Sequence, residues 1–118
     1  MPRHEYQISV EGGELCVTSF GATTDLPLLC VHGWTLNSSM WRYQKDLTQK
    51  GIRLISYDRR GYGDSNAPVN MTAEIADIVA IQQALGLDKI NLMGMSQGGR
   101  ICLRYAAQHP ETINSLLL

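Results

Sequence analysis

Gly94-Met95-Ser96-Gln97-Gly98 places a serine between glycines two positions before and two positions after it. A serine can serve as a nucleophile there if the chain turns sharply enough to expose its hydroxyl. Glycines on both sides keep Cβ atoms out of such a crowded turn. The pentapeptide follows Ile90-Asn91-Leu92-Met93, a short apolar run that reads as a buried strand, and precedes a helix expected from Arg100 to His109, which Pro110 stops. A helix opening behind the serine aims its free N–H groups and positive dipole end at the hydroxyl. Those groups would stabilise the anion formed when Ser96 attacks a carbonyl. A Gly-rich turn can instead bind phosphate. This one lacks the Lys-Ser/Thr ending of a P-loop and the early position of a dinucleotide fingerprint. The nucleophile reading is the stronger.

A second constellation, Val31-His32-Gly33-Trp34, follows another buried apolar run, Leu26-Pro27-Leu28-Leu29-Cys30-Val31. A loop at such a strand end can supply the second main-chain donor to a developing oxyanion. The expected donors are the N–H groups of Trp34 and Gln97, with His32, Gly33, Gly94 and Gly98 as the supporting loop residues. His32 invites assignment as the base. A histidine beside a glycine at this place more often bonds loop backbone, so its expected role is structural. Ser38, Ser39 and Ser65 have no glycine elbow and read as caps or loop residues. Tyr62, Trp41 and Met95 could touch a substrate, but packing explains each equally well.

The elements that position these groups can be read in order. Tyr6–Val10 and Glu14–Thr18 around Gly12-Gly13 predict a hairpin, and residues 1–26 form an N-terminal unit ahead of a core over 27–118. Continuous apolar character in 26–31 suits a strand covered on both faces, as in a parallel sheet, and 52–57 reads as a second buried strand. Ser38 or Ser39 is expected to cap a helix running to Lys50, with Gly51 just past its end. The loop Asp58-Arg59-Arg60-Gly61-Tyr62-Gly63-Asp64-Ser65 follows, then a helix from about Thr72, with Glu74 and Asp77 favouring its positive dipole end. Ile113–Leu118 starts a fourth parallel strand. Alternating strands and helices imply right-handed crossovers and an α/β fold with a mostly parallel sheet and flanking helices.

Composition excludes other classes. The chain has 118 residues, a net charge of −1 and 44% apolar residues, enough for one domain with a modest core. With no basic cluster beyond Arg59-Arg60, neither nucleic acid nor a membrane surface is an expected partner. No apolar run approaches the ~20 residues needed to span a bilayer. The first residues lack the apolar stretch of a secretory signal. Cys16, Cys30 and Cys102 are odd in number and widely spaced, which favours small core thiols and a cytoplasmic setting. Ligand-spaced His, Cys and carboxylate clusters are missing, so no metal or cofactor is expected.

Taken in order, Leu28-Leu29-Cys30-Val31-His32-Gly33-Trp34, Asp58 to Ser65 and Gly94-Met95-Ser96-Gln97-Gly98-Gly99 resemble the N-terminal half of an α/β-hydrolase, over roughly residues 6–118. The segment Tyr105–Ile113 shares that look. Finer features are similar to esterase, lactonase and haloperoxidase-like members. The resemblance implies Ser96 as nucleophile, Trp34 and Gln97 as oxyanion donors, and an architectural Asp58–Ser65 loop tied down by Asp58 and Arg60. It further implies hydrolysis of a small ester, lactone or thioester through an acyl-Ser96 intermediate. Members of the family place the acid and the histidine after the nucleophile. Here Glu111 and His109 are the residues of those types after Ser96, about 15–20 Å along a helix from it at 1.5 Å per residue. His109 is better read as a partner of the helix C-terminal dipole.

The expectation is therefore a fragment of a longer hydrolase, inactive alone, whose other half carries the acid and the histidine. The alternative is a non-catalytic hydrolase-like binding or assembly module. Its open sheet edge would serve strand-edge pairing or homo-oligomer formation.

Overall fold

The computed structural model describes residues 2–118. Six strands form one sheet in the order β1-β2-β4-β3-β5-β6: β1 (Arg3–Val10), β2 (Gly13–Phe20), β3 (Leu26–Val31), β4 (Ile52–Tyr57), β5 (Ile90–Gly94) and β6 (Ile113–Leu117). The hairpin β1-β2 is antiparallel, and β2 joins it to the larger sheet by pairing antiparallel with β4. The β4-β3, β3-β5 and β5-β6 pairs are all parallel. The carboxyl ends of β3, β4 and β5 therefore lie together, and the loops after them are where chemistry can gather.

Strand alternation sorts the core into two layers. Leu29, Val31, Ile55, Tyr57 and Leu92 pack in one buried cluster with Ile78 and Ile81 of helix α1 (Glu74–Ala84) and Ile101, Cys102 and Tyr105 of helix α2 (Gln97–Gln108). On the opposite face, Leu28, Cys30 and Leu54 pack with Trp41 of a 3-10 helix over Ser38–Lys50. Because β3 and β4 are covered on both faces, their sequences show no polar alternation. β6, by contrast, is only half-buried or exposed along its length, so it is an edge rather than the buried strand its apolar residues suggest.

Two helix starts differ from expectation. Asn37, not Ser38 or Ser39, caps the 38–50 helix by accepting a hydrogen bond from Ser39 N at 2.9 Å. Ser38 N instead donates to Asp58 Oδ1 at 2.8 Å, which ties this helix to the loop after β4. Helix α2 begins at Gln97, three residues earlier than its apolar spacing indicates, because the two glycines inside its first turn contribute no hydrophobic signal. Gly51 ends the 38–50 helix at φ 76°, the left-handed conformation expected of it.

Candidate active site

Ser96 stands at the junction of β5 and α2 with φ 56° and ψ −120°. This is a conformation that side-chain-bearing residues rarely adopt and that costs about 1–3 kcal/mol. The residue is exposed, and its hydroxyl has no hydrogen-bond partner among the described residues. The flanking glycines are required by close contacts, of Gly98 with the end of β3 and of Gly94 with Gly98 and Cys102 of α2. A Cβ on Gly98 would lie 2.1 Å from Val31 O, and one on Gly94 would lie 2.7 Å from Gly98 O and 2.8 Å from Cys102 Sγ. Glycine at both positions lets α2 sit directly against the end of β3. That approach brings the loop after β3 to the serine.

The loop closes tightly over the elbow. Met95 N donates to Val31 O at 3.2 Å, and a Cβ on Gly33 would sit 3.5 Å from Ser96 Cβ. Gly33 O accepts from Leu36 N at 3.3 Å, forming a turn in which Thr35 takes φ 62°. Thr35 and Ser96 are the non-glycine residues with positive φ among those described, and both flank the same spot. Sequence patterning gave no sign of the strained Thr35. The main-chain N–H groups of Trp34 and Gln97 have no acceptor among the described residues. Trp34 is itself 68% exposed.

His32 is fully buried and both of its ring nitrogens are engaged. Nδ1 meets Gly33 O at 2.8 Å, and Nε2 accepts from Arg59 N at 2.9 Å. This pairing sets the neutral tautomer with the proton on Nδ1. Burial, reinforced by the Arg59 cation, pushes the imidazole below its ordinary value despite the Gly33 bond. Tyr62 packs edge-on against the ring at 5.1 Å. His32 thus fastens the loop after β3 to the loop after β4. His4 lies on β1, beside Tyr6. His109 ends α2, against the Tyr105 ring at 5.0 Å and 4.0 Å from Glu111.

Arg59 is the site residue that sequence reasoning missed, having been counted only as part of a basic pair. It is 1% exposed. Its guanidinium donates to Glu74 (Nη2 to Oε2, 3.0 Å), to His32 O (3.2 Å) and to Gln97 Oε1 (2.8 Å). Glu74 and Asp77 also correct their expected role. They lie on the buried side of α1, where Asp77 holds Arg60 through two 2.7 Å bonds. Acidic residues in a first helical turn with arginines upstream were the available signal. Only tertiary structure pairs them. Asp58 does tie down its loop, accepting from Ser38 N and from Asp64 N.

An open, mostly apolar groove of about 560 Å³ runs beside Ser96, with Trp41, Met93, Met95, Leu103 and Leu117 in its wall. Met95 is half-exposed there, while Tyr62 packs against His32 and Arg59. The group with the nearest approach to metal-ligand spacing is Cys16, Asp58 and Asp64, within 4.8 Å of one another. Both Asp58 carboxylate oxygens are already engaged by main-chain N–H groups, and burial raises the Cys16 thiol, which opposes the thiolate a metal needs. All three cysteines are buried and free. No described helix is long and apolar enough to cross a membrane.

Comparison with known proteins places this geometry. The alpha/beta hydrolase fold family matches residues 27–118. The chain is 38% identical over 104 residues to a non-heme haloperoxidase of Rhodococcus erythropolis, covering 84% of this chain and 37% of that protein. It is 30% identical over 96 residues to epoxide hydrolase 3 of Xenopus tropicalis, covering 77% and 26%. Among solved structures, an epoxide hydrolase from Vigna radiata superposes with a TM-score of 0.86 at 27% identity, covering 97% of this chain and 38% of that one. The chain spans well under half the length of these relatives. It belongs to the alpha/beta hydrolase fold family.

Proposed function

We propose that Ser96 is the nucleophile of a serine hydrolase acting on a small ester, lactone or thioester through an acyl-Ser96 intermediate. The observation that carries this reading is the exposed Ser96 hydroxyl, held at φ 56° beside two unclaimed main-chain N–H groups. Attack on a carbonyl forms a tetrahedral oxyanion, and Trp34 N–H and Gln97 N–H are the donors assigned to it. The leaving alcohol or thiol departs, and water then releases the acid. The relatives include epoxide hydrolases and a fluoroacetate dehalogenase. A serine at the elbow favours acyl transfer over those chemistries. His32 has no free nitrogen and His109 lies at the far end of α2, so the reading assigns the general base to a group outside residues 2–118. Three free, buried cysteines fit a reducing cytoplasmic setting.

The test uses the full-length protein and an organophosphonate probe. Modification of Ser96, absent in Ser96→Ala, is the expected result. An unmodified Ser96 under conditions that label a control serine hydrolase overturns the reading.

One observation favours a second reading, a non-catalytic binding or assembly module. β6 pairs with β5 on one side and has no strand on its other side among the described residues. A partner could add a strand there. A stable complex lost when Pro replaces Ser115, together with no probe labelling, would select this reading.

A further inference from the structure

The 38–50 helix and the sheet enclose a second cleft, of about 350 Å³, distinct from the groove at Ser96. Its lining follows from two periodicities. Residues 38, 41, 42 and 45 share one face of the helix. On the sheet, Thr18 pairs with Ser56 and Phe20 with Leu54, so all four project toward that helix. With Arg3 from β1, the cleft gathers three cations, several hydroxyls and the aromatic side chains of Phe20 and Trp41, and no carboxylate lines it.

The donors in this cleft are largely unused. Arg3 is paired with Glu5 at 3.2 Å, whereas Arg42 and Lys45 have no carboxylate partner among the described residues. Arg42 spends one donor on Ser39 O at 3.0 Å, and Lys45 Nζ rests 4.4 Å from the centre of the Phe20 ring. The side-chain hydroxyls of Thr18, Ser38, Ser39 and Ser56 make no hydrogen bond to described residues. Trp41, 7% exposed, forms part of the wall, and its buried Nε1–H has no acceptor.

We propose that this cleft binds a small phosphate-bearing anion. Two unpaired cations call for a ligand of charge near −2. The surrounding hydroxyls call for several acceptor oxygens close together, which a phosphate supplies and a single carboxylate does not. The net charge of the chain is −1, so the cationic cleft is a local feature and not the reflection of a basic protein. The site shares Trp41 with the Ser96 groove but does not depend on any reaction at Ser96.

The test is calorimetric titration of the full-length protein with inorganic pyrophosphate, with sodium acetate at matched ionic strength as the comparison anion. One-to-one binding of pyrophosphate, at least tenfold tighter than any binding of acetate, is expected. Arg42→Ala/Lys45→Ala should weaken it at least tenfold while circular dichroism and the unfolding midpoint stay unchanged. Lys89→Ala/Arg104→Ala removes the same charge elsewhere on the surface and should leave affinity within twofold. Absence of saturable binding, equal affinity for acetate, or equal weakening by both double variants would overturn the proposal.

Discussion

Arg59 Nη2 donates to Gln97 Oε1 at 2.8 Å, so the residue that follows Ser96 is fastened by its side chain to the loop after β4. The same guanidinium holds His32 O and Glu74. One buried cation thereby fixes both segments that carry the proposed oxyanion donors. Gln97→Met keeps the main-chain N–H and most of the side-chain volume but removes the acceptor. Small errors in donor position weaken transition-state stabilisation, and we expect roughly a tenfold slower reaction of Ser96 with an organophosphonate. Thermal unfolding should shift little, since Glu74 still holds the guanidinium. An unchanged labelling rate would show that Gln97 merely fills space.

The Arg60–Asp77 pair is nearly inaccessible, with two 2.7 Å bonds joining Nε to Oδ2 and Nη2 to Oδ1. The Asp77 hydrogen bonds lift Arg60 above its already high ordinary value, against the effect of burial. Asp77→Ala leaves a buried guanidinium unpaired and should destabilise the fold by about 3–5 kcal/mol. Arg60→Met/Asp77→Leu removes both charges while retaining apolar volume, and most of that loss should return. Urea unfolding of the single and double variants decides the matter. A double variant as unstable as the single would mean that the loop needs the ion pair itself.

Gly98 and Gly51 separate two reasons for conserving volume at a glycine. A Cβ on Gly98 meets Val31 O at 2.1 Å, whereas one on Gly51 meets nothing within 4 Å. Gly98→Ala must therefore push α2 off β3 and should cost about 4 kcal/mol or more. Gly51→Ala suffers only its left-handed backbone, about 1–2 kcal/mol. Comparable unfolding midpoints for the two variants would contradict the close approach of α2 to β3.

The strands of the core and the elbow were legible because each rests on a local pattern. An uninterrupted apolar run marked β3, and Gly-x-Ser-x-Gly between a strand and a helix marked the turn at Ser96. Arg59 was illegible for a physical reason. Its partners Glu74, His32 and Gln97 lie on three other segments, and a buried arginine has the same sequence appearance as an exposed one. Asp77 was misread for the same reason, since an acid in a first helical turn has a sufficient local explanation. Asn37 displaced the serines as cap because Ser38 N is drawn to Asp58, a contact twenty residues away. Cover on both faces of β3 was visible as uninterrupted apolar character, and an open sheet edge was expected, whereas the exposure along β6 was not visible, because apolar content says nothing about which neighbours arrive.

His32 gives the fold a pH dependence of defined sign. Burial, with Arg59 nearby, lowers its pKa in the folded state, so the unfolded chain binds the proton more readily. Stability from this group is present above the unfolded value of about 6.5. It is lost as pH falls from there through the lower folded value. The urea midpoint should hold between pH 8 and 7 and decline on further acidification. In the folded protein, the His32 ring resonances should titrate below the unfolded midpoint. A normal titration of that ring would mean that its contacts to Gly33 and Arg59 are not maintained.

Ser96 sets a cost in stability against exposure of its hydroxyl. The strain at φ 56° and ψ −120° comes from its Cβ against its own backbone, so it does not depend on the hydroxyl. Ser96→Ala should therefore leave stability nearly unchanged. Ser96→Gly releases about 1–3 kcal/mol of strain and adds roughly 0.5–1 kcal/mol of chain entropy to the unfolded state. The net expectation is a gain of about 1 kcal/mol for glycine and none for alanine, with probe labelling abolished in both. Thermal and urea unfolding of the three proteins measure the difference directly. Equal stability of the glycine and alanine variants would mean that the turn relaxes around any side chain, and the exposed serine would then stand there without strain.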